Sequence, residues 1–195
     1  MMRPKRSAAT AGKPPAAPTG PDAWVRAGLA LLASDGIQAV RIEPLAARLG
    51  VTKGSFYWHF EDRAALHAAM LEAWATTATR DIVRRVDAHV APPAGKLRHL
   101  IDLTALNGRL ARLETALRSW ARHDAAVAAA VGTIDAERIA YVSALLVAMG
   151  IPPDRARVRA RIVYLVLIGG FFAETIAPSQ AAEALWREVE ALVGG

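Results

Sequence analysis

Apolar residues along this chain recur three and four positions apart, the spacing of one face of an α-helix, and nowhere alternate as a half-buried strand would. The first stripe is Trp24, Ala27, Leu31 and Leu32, which predicts a helix over residues 22–34 with Asp22 as its cap. Asp35 and Gly36 end it. Ile37, Val40 and Ile42 lead into a short second helix over 43–49, where Pro44 is tolerated because first-turn amides have no intrahelical partner. Gly50 suits a left-handed residue just past that helix. Thr52 is then placed to cap a third helix over 53–59, and Asp62 to cap a fourth, long helix reaching residue 90. Leu45, Ala46, Leu49, Val51 and Phe56 are spaced to close a small core with Trp24, Leu31 and Ile37.

The second half reads the same way. The run 91–95 contains two prolines and a glycine and interrupts the pattern, after which 96–119 predicts one helix. Residues 123–149 predict another, with a break near Gly132 and Thr133. The breaker at 150–154 is the strongest in the chain, and Asp154 is placed to cap a helix over 155–176, followed by a last one over 179–193. Gly169 and Gly170 inside the penultimate helix cost roughly 1–2 kcal/mol in propensity, a loss that close approach of a neighbouring helix would offset. The expected fold class is all-α: a basic arm over 1–21, a three-helix head with a helix-turn-helix over 22–67, and a helical body over 68–195.

Composition narrows the chemistry. With 53% apolar residues among 195, the chain can bury a sizeable core, although much of that fraction is alanine. The net charge of +6 suits an anionic partner such as nucleic acid, an anionic membrane surface or RNA. Within 22–67 five basic residues face five acids, so DNA binding there depends on where charge is placed. There is no cysteine, which excludes disulfides and thiolate chemistry. The longest apolar run, 162–173, is too short to span a bilayer. Arg3, Lys5, Arg6 and Lys13 precede no apolar core, so the arm reads as a flexible basic terminus of a cytoplasmic protein. No phosphate loop, nucleophile elbow or paired-histidine metal motif is present, and the five histidines lie scattered. No cofactor, metal site or enzyme activity is expected.

The segment VTKGSFYWHF at 51–60 carries the candidate function. A helix, a glycine-marked turn and a short second helix with a polar and aromatic face can seat that second helix in a DNA major groove. The exposed set is Thr52, Lys53, Ser55, Tyr57, Trp58 and His59. Lys53 and Ser55, near the helix start, are candidates for base edges; Thr52, Tyr57 and His59, with Arg41 and Arg63 from neighbouring elements, are candidates for phosphates.

These residues resemble the N-terminal domain of the TetR family of transcriptional regulators. The likeness runs from Trp24 to about Met70 and centres on Gly54, Tyr57, His59 and Phe60, the family's Gly-x-x-Tyr-x-His-Phe run. It implies that Tyr57 and His59 bind phosphate and that Thr52, Lys53 and Ser55 read or border bases. One departure is Arg41, where many members have a Ser or Thr that caps the second helix; its guanidinium still suits a phosphate. The resemblance further implies a homodimer on palindromic operator DNA and a body that binds a small-molecule effector, most commonly making a repressor. Candidate interface residues are Leu165, Ile168, Phe172, Leu185, Val189 and Leu192, on two helices that would pair with their copies as a four-helix contact. Candidate effector-contacting residues are Trp74, Asn107, Leu110, Trp120, Met149 and Tyr164. The alternative is a helical adaptor of the same fold that does not bind DNA.

Overall fold

The computed structural model describes residues 20–104, 107–172, 187, 188 and 191. The described elements are all helical: α1 (Pro21–Asp35), a 3-10 turn (Ile37–Ala39), α2 (Ile42–Leu49), α3 (Lys53–Phe56), α4 (Arg63–Ala75), a π-helical stretch (Thr76–Arg80) running into α5 (Asp81–Ala88), α6 (Pro93–Thr104), α7 (Gly108–Ala121), α8 (Ala125–Ala148) and α9 (Pro153–Phe172).

The head closes around aromatic rings. Trp24 of α1 meets Phe56 of α3 edge-to-face at 5.3 Å, and Phe60 stacks on Phe56 at 5.4 Å. Leu32, Leu45, Ala46 and Leu66 are buried beside them, with Leu31, Ile37, Leu49 and Val51 packed against the cluster. Gly50 takes the left-handed conformation (φ 68°) and its N–H reaches the carbonyls of Ala46 and Ala47, which turns the chain between α2 and α3. Gly28 lies where α1 and α4 approach: a Cβ there would come within 2.7 Å of the Met70 sulfur. The same cluster continues through Met70 and Trp74 to Leu117, Trp120, Val127 and Ile134, so head and body share one apolar core across residue 67. A second cluster holds α6, α8 and α9 together through Leu97, Ile101, Leu146, Ala156, Ala160 and Val163.

Several boundaries differ from expectation, each for a local reason. The cap position of α1 is Gly20 rather than Asp22, because Pro21 occupies the first helical position, where its fixed φ fits and no N–H is needed. The third helix stops at Phe56 rather than His59, because the chain must turn at 57–59 to bring Phe60 back into the core beside Phe56. The single helix expected over 96–119 is two, α6 and α7. Asn107 starts α7 by accepting from the Leu110 N–H at 3.0 Å, and Gly108 follows it. Conversely, α8 passes Gly132 and Thr133 without a break, started instead by Asp124, whose carboxylate accepts from the amides of Ala126 and Val127. Asp154 lies in the first turn of α9, one residue after Pro153 opens it. Of the last expected helix, Arg187, Glu188 and Ala191 are helical and exposed; the rest lies outside the described residues. Among the described residues nothing lies within 4 Å of a Cβ placed on Gly169 or Gly170, so no close approach by them accounts for these glycines.

Candidate nucleic-acid interface

Because Phe56 and Phe60 face inward, the residues between and before them face out. Thr52, Lys53, Tyr57, Trp58 and His59 are exposed and Ser55 is half-buried; Tyr57 is 54% and Trp58 87% accessible, values unusual for large aromatic side chains. The Tyr57 ring also meets Phe56 edge-to-face at 5.3 Å, so its base is anchored while its hydroxyl end is free. Arg41 and Thr52 hold the extended backbone of helix caps without making a side-chain cap bond. Arg63 opens α4 and is exposed, one residue past Asp62, whose carboxylate caps that helix by accepting from the Ala65 N–H at 2.8 Å. The sequence-predicted DNA residues therefore lie within one small unit, all exposed except the half-buried Ser55.

Sequence reasoning missed one member of this surface. Lys53 donates to Glu43 Oε1 at 2.6 Å across the turn. The hydrogen bond and charge of Glu43 raise the Lys53 pKa, and the same bond lowers that of Glu43. No periodicity pairs residues ten apart; only the α2–α3 turn does.

In the body, a buried polar network crosses five elements: α4, the π-helical stretch, α7, α8 and α9. Glu114, 1% exposed, accepts from the Trp74 indole N–H at 2.9 Å and from Arg138 Nη2 at 2.7 Å. Arg138 also donates to Thr79 Oγ1 at 2.8 Å and lies 5.3 Å over the Trp74 ring. Arg118 forks onto Asp135 at 2.8 and 3.0 Å and donates to the Tyr164 hydroxyl, which in turn donates to Asp135. Burial opposes the Asp135 charge, but bonds from Arg118 and Tyr164 outweigh it and keep the carboxyl below its usual range. Burial pushes the Tyr164 hydroxyl up to about 12.

Beside this network lies a small cavity of about 60 Å³ lined by Leu110, Tyr164, Arg138 and mostly apolar neighbours. Of the effector candidates, Leu110 and Tyr164 line it. Trp74 sits fully buried in the polar network, Met149 packs on the second core cluster, Asn107 is the exposed cap of α7, and Trp120 faces a separate cleft between head and body. Of the interface candidates, Leu165 and Phe172 are exposed at 62% and 58% and Ile168 is half-buried; Leu185, Val189 and Leu192 lie outside the described residues. Among the described residues no three His, Asp or Glu side chains cluster as metal ligands, and no helix is long and apolar enough to cross a membrane.

Residues 25–70 match the family described as bacterial regulatory proteins, tetR family. The tetracycline repressor protein class A from transposon 1721 of Escherichia coli is 42% identical over 53 residues, 27% of this chain and 24% of that protein. The class C repressor of the same organism is 40% identical over 55 residues, 28% and 25% of the two chains. The match thus spans about a quarter of these curated relatives. Over the longer chain the likeness is one of fold. A transcriptional regulator from Rhodococcus sp. Rha1 superimposes with a TM-score of 0.73 at 18% identity, covering 89% of this chain and 94% of that one. The regulatory protein TetR from Rhodobacter sphaeroides does so at 0.73 and 20%, covering 89% and 98%. The family likeness is thus carried by the head, where the exposed Tyr57–His59 face lies inside the segment that matches the tetR family, and over the rest of the chain the likeness is one of fold.

Proposed function

We propose that this protein is a ligand-responsive transcriptional regulator of the cytoplasm that binds palindromic operator DNA as a homodimer and represses transcription. The observation that supports this most is the outward face of α3 and the turn after it. Tyr57, Trp58 and His59 stand exposed on a segment pinned to the core by Phe56 and Phe60, inside the family match. In this reading Tyr57, Trp58 and His59, with Arg41, Thr52 and Arg63, grip the phosphate backbone and position α3, and Lys53 and Ser55 meet base edges. Glu43 holds the Lys53 ammonium in place until a guanine edge competes for it.

The dimer reading rests on α9. Val158, Ile162, Leu165 and Phe172 are all exposed and spaced four, three and seven residues apart, so they form one apolar stripe that includes the open Gly169. A second copy is the occupant that such a stripe suits, because symmetric pairing also supplies the second reading head that a palindrome needs. The proposed division into a head over 22–67 and a body over 68–195, with a basic arm over 1–21, follows these roles. The effector would enter the body beside Leu110 and Tyr164. The cavity there is far smaller than the roughly 300–1,000 Å³ of ordinary ligand sites, so effector binding must open it and thereby move the π-helical stretch and α5 that line it.

Selection of bound DNA from a random pool, followed by gel shifts on the winner, tests the reading. Tyr57→Ala and His59→Ala should weaken binding to all sequences alike, and Lys53→Ala or Ser55→Ala should change preference at a few base pairs by about 1–3 kcal/mol each. A pool that yields no enriched sequence, with all four variants indistinguishable from the parent, rejects DNA reading and favours the adaptor.

A further inference from the structure

A cleft of about 940 Å³ lies where the head meets the body, between the end of α1, the start of α4, α7 and the end of α9. It is distinct from the small inner cavity. Its walls are of two kinds. Trp120 and Phe171 supply aromatic surface, and Trp120 meets the His67 ring edge-on at 4.8 Å. Arg63 from the head and Arg112 from the body supply permanent positive charge; both are exposed, and neither forms an ion pair among the described residues.

The two acids in the cleft are already engaged. Asp124 accepts from two backbone amides at the start of α8, and Asp35 accepts from the Ser34 hydroxyl at 2.5 Å. Among the described residues, the charged lining groups left without a partner are therefore the two guanidinium groups. The His67 Nε2 atom is buried with no hydrogen-bond partner, a state that is costly unless something completes it. Two free guanidinium groups set against two engaged carboxylates suit a single negative charge and disfavour a polyanion.

We propose that this cleft is a binding site for a small organic monoanion, an aromatic body bearing one carboxylate, with Arg63 and Arg112 meeting the charge and Trp120 and Phe171 flanking the ring. Sites of this kind favour junctions between units, with apolar walls and a few convergent polar groups. The position has a consequence that rests on the DNA-reading proposal. A carboxylate that engages Arg63 withdraws it from the phosphate backbone and ties the start of α4 to α7. Such a ligand binds the DNA-free state more tightly than the DNA-bound one and weakens operator binding by the same factor.

Calorimetric titration of the full chain, without DNA, with 2-naphthoate and with its neutral isostere 2-naphthamide tests the site independently of DNA reading. We expect saturable binding of the carboxylate, with the amide at least about tenfold weaker. Arg63→Gln and Arg112→Gln should each remove about that tenfold for the carboxylate and leave the amide unchanged. Arg84→Gln, whose partner Asp81 lies on α5 outside the cleft, should bind like the parent. Absence of saturable carboxylate binding, equal affinities for acid and amide, or parental affinity in Arg112→Gln would overturn the site. In gel shifts on the selected operator, naphthoate should release the parent and not Arg112→Gln; equal release of both overturns the coupling and leaves the calorimetric result to decide the site.

Discussion

Replacing Glu114 by alanine should be among the most damaging single changes in this protein. The carboxylate is 1% exposed, and one oxygen serves both the Trp74 indole N–H at 2.9 Å and Arg138 at 2.7 Å. Its second oxygen lies 3.5 Å from Arg118. Truncation leaves a fully buried indole donor unpaired and takes from the largely buried Arg138 guanidinium its carboxylate partner, while Arg118 keeps Asp135. Removing one member of a buried ion pair typically costs about 3–5 kcal/mol, and the stranded indole donor falls within that figure rather than adding to it. In a chain of this size each kcal/mol moves the melting midpoint by about 2–4 °C, so the expected drop is roughly 10 °C. Glu114→Gln keeps an acceptor for Trp74 and loses the charge, so about 2 kcal/mol is expected. The double change Glu114→Met with Arg138→Met removes both ions, and substitution of a buried pair by apolar groups is often close to neutral, so it should be milder than Glu114→Ala alone. Urea unfolding followed by tryptophan fluorescence at one protein concentration measures all three. A Glu114→Ala variant within about 1 kcal/mol of the parent, the range of an exposed pair, would refute the reasoning, as would a double variant less stable than the single.

Three further outcomes follow from local features. Burial of the His67 ring, aided by Arg63 and opposed by Asp124 and Asp62, holds its pKa below the usual 6.5. The unfolded chain then takes up the proton more readily, so stability is complete above that value and is lost as pH falls through it toward the lower folded pKa; His67→Gln should flatten this slope in unfolding curves taken across that window. Gly50→Ala places a Cβ at φ 68° and should destabilise by about 1–2 kcal/mol in thermal melts, although the site is open and no contact is lost. Leu165→Glu with Phe172→Glu puts charge on the exposed stripe of α9 and should shift light scattering from dimer to monomer; an unchanged mass would place the interface elsewhere.

The three-helix fold of the head was legible in the sequence because its determinants are local. A left-handed glycine at 50, a capping aspartate at 62 and an inward aromatic at 56 act within a few positions of themselves, and short-range geometry admits few alternatives. Even so, α3 is shorter than its sequence predicts, ending at Phe56. The burial of Phe60, which ends the helix by turning the chain, is a property of the packed core and not of helix propensity. The division at Asn107 was open to a local reading, since an asparagine followed by glycine is a good helix start, but the surrounding apolar periodicity masked it.

What the amino-acid order determined by itself was the helical class, the turn between α2 and α3 and the outward set from Thr52 to His59, because each depends on backbone preferences and on the side of a helix that must be buried. Only the tertiary structure decided the rest. Glu43 reaches Lys53, Glu114 joins Trp74 to Arg138, and Arg63 faces the same cleft as Arg112, pairings that separate in sequence by 10, 40, 24 and 49 positions. Helical periodicity says which face of each helix is buried and nothing about which partner it meets. That choice is made when the helices pack, and the charge, pKa and cavity of every polar site here are consequences of it.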